Sequence, residues 1–511
     1  MKDSSDFFLR DYGNTLFPLR TNRLLVEKYS KELSNFIQEK VLTPDGAFQN
    51  QHRVFASKRA WFLRRTVKLD PVAEFFLYDI IYRNRACFRP FPHHKREAHG
   101  FRIEGGEPLS TLASYGQFKK SVARHRRKHR FSIYFDIASY FNHIYHHDLV
   151  RWFEDAGAGT DDVQAFGKFL REIVGGRSVD CLPQGLYPAK MVGAAFLSFL
   201  EESNRIRANQ SVRLMDDVWL FDDDPNTLTS DFLLIQALLS DRGLSINDKK
   251  STILEGPEDE FPTDLDQMKI DLLQKRRAEL QANSLYGEGD DDNEEDDDEG
   301  EDKDEDEDRH EDAPEDLDEL REDEQEYLIS LLKRDTIPEE DAELVLTLMG
   351  EHSSDVMEFL PTLMREFPAL TKRIYQFCSE VEDKAEVAVA LLEYLNTDPQ
   401  VTEDQLFWFG MMAEDHLLGT PKAGEVLRAL YESERATVIT KAKILEIPEK
   451  RFGLPDLREE QLRTGHSDWL AWAAAIGARV HPKGQRNQML KYFRRSSPMN
   501  QLIGEFVEKS F

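Results

Sequence analysis

Apolar and polar positions follow three different rhythms along this chain. Over residues 21–41, Leu24, Leu25, Tyr29, Leu33 and Phe36 recur at three-and-four spacing behind Thr21, which predicts an amphipathic helix capped by that threonine. Residues 69–82 repeat the rhythm with Pro71 in the first turn. Between 86 and 110 proline, glycine and charge crowd together, predicting short strands and loops. At FSIYFDI (131–137) the period drops to two, the mark of a strand that ends at Asp136. A helix is predicted after Gly185, small on one side at Gly193 and Ala194. Two short apolar strands around Asp216 and Asp217 then read as a hairpin, followed by a helix over 229–241 and a strand near 251–254. This β-α-β-β-α-β order predicts an α+β fold of the ferredoxin-like, split βαβ kind with helices on one face. Beyond residue 326, short amphipathic stretches parted by TIPEED, NTDPQ and GTPK predict roughly ten to twelve helices, an all-α, HEAT-like array without a strict period.

Charge changes the picture. The 511 residues carry a formal net charge of −30, which on its face argues against a polyanionic partner. Of that, −24 belongs to residues 288–326, where 27 Asp and Glu stand against Lys303, Arg309 and Arg321. The near-neutral remainder holds basic clusters at 58–68, 83–102 and, most densely, 119–130. The acidic stretch is too polar to bury enough surface to offset its ordering entropy, so it is expected to be disordered, a tether or a polyanion mimic. Four units follow: helices and short strands over 1–130, the split βαβ unit over 131–257, a linker with the acidic insert over 258–326, and the helical array over 327–511.

Three widely spaced cysteines, Cys87, Cys181 and Cys378, offer neither a disulfide framework nor a cysteine-built zinc site, which excludes a stapled toxin or hormone. With no run of about 18 apolar residues and no signal-peptide order at the N-terminus, a cytoplasmic protein without a membrane partner is expected.

Asp136 at a strand end and Asp216 and Asp217 at a hairpin tip are neighbours in a split βαβ sheet. Three carboxylates in one small space repel unless cations neutralise them, which predicts bound divalent metal. Hard oxygen donors with few His or Cys suit Mg²⁺ or Mn²⁺, and two such ions about 3.5–4 Å apart would serve an in-line attack by a 3′-hydroxyl with departure of pyrophosphate.

Four segments in order resemble the reverse transcriptase palm. Asp136-Ile137-Ala138-Ser139-Tyr140-Phe141 is similar to the first motif, Pro183-Gln184-Gly185 to the second, Leu214-Met215-Asp216-Asp217 to the third, and Gly243 to Lys250 to the fourth. The resemblance implies a polymerase palm with helical fingers and two metal ions held by Asp136, Asp216, Asp217 and the Ile137 carbonyl. It also implies catalytic help from Lys250, a nucleotide pocket at Phe141, Gln184 and Gly185, and exclusion of a 2′-hydroxyl by Phe141. Lys95, Arg96 and Arg102 lie where the family's fingers hold the triphosphate. Ile144-Tyr145-His146-His147-Asp148-Leu149, joined to a helical C-terminal region, resembles the bacterial abortive-infection and defence-associated reverse transcriptases. That narrower resemblance implies phage defence through DNA synthesis, in several members without a template and primed from the protein itself. The alternatives are copying of an associated RNA and a non-catalytic interaction protein acting through the helical region. The partners implied are dNTPs, a single-stranded DNA product or RNA template, a non-coding RNA or second defence protein, and further copies of this chain. Leu214 departs from the family, which carries an aromatic there, and the acidic insert has no counterpart.

The run Lys119, Lys120, Arg124, Arg126 and Arg127 reads as a ridge for a nucleic-acid backbone or as a solvated helix face. His143, His146 and His147 read as core or surface residues, Trp469 and Trp472 as helix packing, and Tyr140 and Tyr145 as packing rather than primer residues.

Overall fold

The computed structural model describes residues 1–58, 62–90, 93–178, 182–256, 272, 320–397 and 400–511. Two helices open the chain, α1 (Ser4–Tyr12), capped by Asp3, and α2 (Arg20–Phe36). Thr21 is not the cap expected of it. It lies buried inside the first turn, and the free amides there are taken by Glu446 from far along the chain, Arg20 N–H at 2.9 Å and Thr21 N–H at 2.8 Å. Strands β1 (His52–Ser57) and β2 (Leu63–Lys68) pair as an antiparallel hairpin. Helix α3 (Pro71–Arg83) follows, with Asp70 as cap and Pro71 at its first position, a cap stabilising it by about 1 kcal/mol. Short strands β3 (Arg96–His99), β4 (Ile103–Glu104) and β5 (Glu107–Pro108) fill the proline- and glycine-rich stretch, and the basic run forms the end of α4 (Thr111–Lys128).

Next come β6 (Phe131–Asp136), the helices α5 (Tyr140–His143), α6 (His146–Asp155), α7 (Thr160–Ile173) and α8 (Tyr187–Phe196), then β7 (Gln210–Leu214), β8 (Asp217–Asp222), α9 (Pro225–Ser240) and β9 (Thr252–Glu255). The sheet is mixed, in the order β3-β7-β8-β6-β9. Without β3, its four strands stand in the order expected of a split βαβ unit. Alternation sorts their side chains: Ile133, Phe135, Val218 and Leu220 join the main core with α8 and α9. Val212, Leu214 and Phe221 face the other way and meet Phe118 and Val122 of α4. Helices were expected on one face only. Instead α4 covers part of the second face, because its apolar stripe is as well matched to the sheet as its basic stripe is to water.

The C-terminal region holds twelve α-helices among the described residues. The first, Glu322–Leu332, begins inside the stretch expected to be disordered, since Arg321 and Glu324 close a capping box there. The acidic run up to residue 319, and Cys181, lie outside the described residues. Alternate helices pack on one another, Thr371–Glu380 on Glu403–Met412, that on Val438–Glu446, and that on Trp469–Gly477. This row does not stand apart from the N-terminal half. Phe407, Trp408, Ile439, Trp472 and Phe506 share one core with Phe7, Leu25 and Phe76, while a second core around Leu331, Leu391 and Leu427 is built from the C-terminal region together with Leu272. Trp469 and Trp472 meet edge-on at 5.4 Å, and the Trp472 indole donates to Asn500 at 3.0 Å, in keeping with the packing role read from sequence. No helix among the described residues is long and apolar enough to cross a membrane.

Candidate active site

Antiparallel register sets Asp136 directly across from Asp217 on neighbouring strands. The β7–β8 turn adds Asp216, and two residues in the left-handed region, Met215 at φ 55° and Ser139 at φ 48°, flank the carboxylates. From beneath, the buried Arg213 holds the turn. Its guanidinium binds both oxygens of Glu201 at 2.7 Å and donates to the carbonyls of Met215 at 3.1 Å and Ala194 at 3.0 Å. The segment ending in Lys250 closes the other side: Ala138 N–H donates to the Ser245 carbonyl and Asn247 N–H to that of Asp136, both at 2.8 Å. Lys250 Nζ stands 3.2 Å from Asp136 Oδ2.

Negative charge is crowded at this corner. Burial, then repulsion from Asp136 and Asp217, pushes the Asp216 carboxyl up to about 7. Burial and Asp136 also raise Asp217, against the pull of the Tyr134 hydroxyl, which donates to Asp217 Oδ1 at 2.7 Å, and of Lys250 and Lys119. Among the described residues no three His, Cys, Asp or Glu side chains stand gathered as a ready cage for an ion. Asp136 leans to Lys250 and Asp217 to Tyr134 instead. The donor set nonetheless fits a hard divalent cation, being all carboxylate and carrying more negative charge than its cations balance. Reverse transcriptase domains in general use divalent metal ions.

A folded-state pKa above the unfolded value means that ionising Asp216 opposes folding, fully above about pH 7 and progressively less as pH falls toward the unfolded carboxylate range. In chelator, therefore, Asp216→Asn should raise the thermal unfolding midpoint at pH 8 and lose that advantage toward pH 4. An equal midpoint at both pH values would contradict the repulsion.

The other expected residues divide. Phe141 is half-buried; a Cβ placed on Gly193 would lie 3.2 Å from its ring and 3.3 Å from Met215 Cε, so ring, turn and α8 converge. Ile137 is buried and bridges Ile246, fixing the backbone next to Asp136. Gln184 exchanges two hydrogen bonds with Thr66 of β2, its N–H at 2.8 Å and its carbonyl at 3.3 Å. Gly185, at φ 92°, has Leu16 where a Cβ would go, 2.5 Å from Cγ, so only glycine fits. Lys95 is half-buried, and its carbonyl accepts from Ser211 N–H at 3.0 Å. Arg102 pairs with Glu104 at 2.8 Å and lines a cavity of about 790 Å³ that the three carboxylates do not border.

Two expectations are corrected. Arg96 is buried, with its guanidinium on the carbonyls of Ala208 at 2.9 Å and Ile206 at 2.8 Å, so it ties β3 to the sheet and is not presented to a nucleotide. Arg126 is likewise buried, over the Trp219 ring at 5.8 Å and bonded to the Gly256 carbonyl at 3.1 Å, which removes it from the basic ridge. Lys119, Lys120, Arg124 and Arg127 stay exposed on α4, Arg124 gripping Glu97. Of the histidines, His146 is buried and His143 and His147 are exposed, with no shared metal site among the described residues. Tyr140 is buried with its hydroxyl on the Gly193 carbonyl at 2.7 Å, whereas Tyr145 is 44% exposed.

Sequence reasoning missed the β1–β2 hairpin as a wall of this site. Through Thr66 it abuts Gln184, and burial lowers the Lys190 amine of α8, an effect that Asp11 opposes and the exposed Arg64 of the hairpin adds to. The signal was present in the basic 58–68 cluster interleaved with VFAS and FL, an alternating hairpin pattern.

No curated protein matches the chain in sequence. Among solved structures it is similar to apo telomerase from Candida tropicalis, at 10% identity and a TM-score of 0.32, covering 79% of this chain and 73% of that one. It is also similar to telomerase from Candida albicans in complex with a fragment of telomeric RNA, at 11% identity and a TM-score of 0.29, covering 80% and 65%. Residues 92–281, which include all three carboxylates, match the family model described as reverse transcriptase (RNA-dependent DNA polymerase), and the chain thus carries a reverse transcriptase domain with that domain's nucleotide-joining activity.

Proposed function

We propose that this chain is a DNA polymerase that adds deoxynucleotides to a 3′-hydroxyl, with Asp136, Asp216, Asp217 and the Ile137 carbonyl as the residues that would hold two Mg²⁺ or Mn²⁺ ions. The observation that carries this reading is the cross-strand placement of Asp136 against Asp217 with Asp216 on the adjoining turn. Bound there, such ions would activate the attacking hydroxyl and offset charge on the pyrophosphate. The chain's own residues do the rest. Phe141, seated against Met215 and Gly193, bounds the sugar, while Gln184 and Gly185 bound the base side. Arg64, on the hairpin beside Gln184, and Lys95 would hold the triphosphate, and Arg102 would have to leave Glu104 to join them. Lys250 stands beside Asp136 where a leaving pyrophosphate needs a cation. Lys119, Lys120, Arg124 and Arg127 follow the backbone of the strand.

The role we infer is antiphage defence, by synthesis that needs no template and starts from a hydroxyl of the protein. Its support is the Ile144 to Leu149 segment and the union of a palm with an array of paired helices. A protein hydroxyl makes the first attack effectively intramolecular, which suits an enzyme with little surface for gripping a free primer duplex. Tyr145 is exposed enough to donate one; Tyr140 is not. The test is to denature protein purified from cells, treat half with DNase and sequence what is attached. A nuclease-sensitive mobility shift, with a product matching no RNA, is expected. A product that copies an RNA and extracts free of protein would favour the template-copying enzyme.

A further inference from the structure

Helix Glu403–Met412 lies in the C-terminal region, yet all ten of its residues are buried and its first turn ends on the fingers hairpin. The hairpin has only two strands, so the outer edge of β1 presents unpaired N–H groups. Two of them are taken by carboxylates of this helix. Glu403 Oε2 accepts from Phe55 N–H at 2.8 Å, and Asp404 Oδ2 accepts from Ser57 N–H at 2.8 Å. Asp404 Oδ1 also accepts from the Ser57 hydroxyl at 2.6 Å, and that hydroxyl lies 2.9 Å from Thr402 Oγ1. Residues 55 and 57 are two apart, as same-edge amides of a strand must be, so the carboxylate pair stands where a third strand would. Carboxylates in the first turn of a helix are favoured there by its dipole, so the helix presents the pair to the hairpin edge in an orientation its own geometry supports.

The same helix also reaches toward the Gln184–Gly185 loop, through Phe17 and its neighbour Leu16. One turn on, Phe407 meets Phe17 edge-on at 5.1 Å. Leu16, the residue before Phe17, fills the space against Gly185. Thus the hairpin that carries Arg64 and the loop that carries Gln184 and Gly185 are both braced by one rigid element from outside the reverse transcriptase match, and Thr66 joins the two walls at Gln184.

We propose that helix Glu403–Met412 sets the width of the nucleotide pocket, with Asp404 and Glu403 as positioning residues that hold the fingers hairpin against the Gln184–Gly185 loop. This is a task for the helical region within the reaction itself, and it rests on the polymerase reading above. Loss of the carboxylate frees the base of the hairpin and moves its cations relative to the triphosphate, leaving Asp136, Asp216 and Asp217 in place. Binding of the incoming nucleotide should suffer, and the chemical step should not.

The experiment is steady-state incorporation of labelled dNTP by the full chain, with kcat and KM separated. Asp404→Ala should raise KM for dNTP on the order of tenfold with kcat within about twofold of wild type. Asp404→Asn keeps an oxygen that accepts the Ser57 N–H and should stay near wild type. Should Asp404→Ala fail to fold, Ser57→Ala removes one of the bonds from the hairpin side and should raise KM about threefold. Leu391→Ala, in the second core, should lower the unfolding midpoint and leave KM unmoved. Unchanged KM in the folded Asp404→Ala or Ser57→Ala protein, or an equal shift in Leu391→Ala, would overturn this inference alone. A wild-type protein that incorporates no nucleotide would overturn the polymerase reading and this one with it.

Discussion

Replacing both Asp216 and Asp217 with alanine should cut deoxynucleotide incorporation at least about a thousandfold, to background in most assays. The two side chains supply two of the three carboxylates at this corner, and what remains is an Asp136 already leaning to Lys250. Charge that develops on the attacking and departing oxygens would meet a site unable to concentrate cations. The loss should not come from unfolding. Asp216 is held in an unfavourable ionisation by burial and by its neighbours, so its removal relieves repulsion, and the Tyr134 hydroxyl that loses Asp217 is only half-buried and open to water. The check is a pair of measurements on the same preparation: rate of incorporation and thermal midpoint in chelator. A thousandfold slower protein with an intact midpoint is the expected pair.

The second large effect is on sugar discrimination. Phe141 follows Asp136 by five residues, and its ring closes on Gly193 and Met215 rather than turning to solvent. Phe141→Ala removes that wall. Ribonucleotides, rejected by contact with the ring rather than by a missing hydrogen bond, should then enter, with the ratio of kcat/KM for dNTP over rNTP falling roughly 10- to 100-fold. Because the ring is only partly buried, the cost in stability should fall below the ~3 kcal/mol that marks the low end for a fully buried phenylalanine. Competition between labelled dTTP and UTP reads the ratio directly. An unchanged ratio would mean that Phe141 does not face the sugar.

Much of the sheet was legible because its signals are local. FSIYFDI alternates and is closed by Asp136, and LMDDVWL carries its own turn, so the strand ending at Asp136 and the hairpin around Asp216 and Asp217 stand where they were expected. The grouping of Asp136 with the Asp216–Asp217 turn followed from topology, which a β-α-β-β-α-β order restricts strongly. What failed to show was non-local. Thr21 looked like a cap because nothing near it in sequence competes, whereas the true acceptor, Glu446, is over four hundred positions away and was invisible to any window. Arg96 and Arg126 sit in basic runs that read as exposed, yet each found buried carbonyls to satisfy it, an outcome set by packing rather than pattern. The helical region was legible as helices of ten or so residues, most of them amphipathic, but its docking onto β1 and α2 rests on Glu403, Asp404 and Glu446. These are acidic residues indistinguishable in sequence from dozens of others.

Incorporation of labelled deoxynucleotide by the purified full chain reports whether this corner of three carboxylates builds DNA. Wild-type protein with Mg²⁺ or Mn²⁺ is expected to convert label to acid-insoluble, DNase-sensitive material, and to lose that activity in chelator and in the Asp216→Ala, Asp217→Ala protein. Folded wild-type protein that forms no such material with either metal, or a double variant that forms it at the wild-type rate, would mean that these carboxylates do not build DNA.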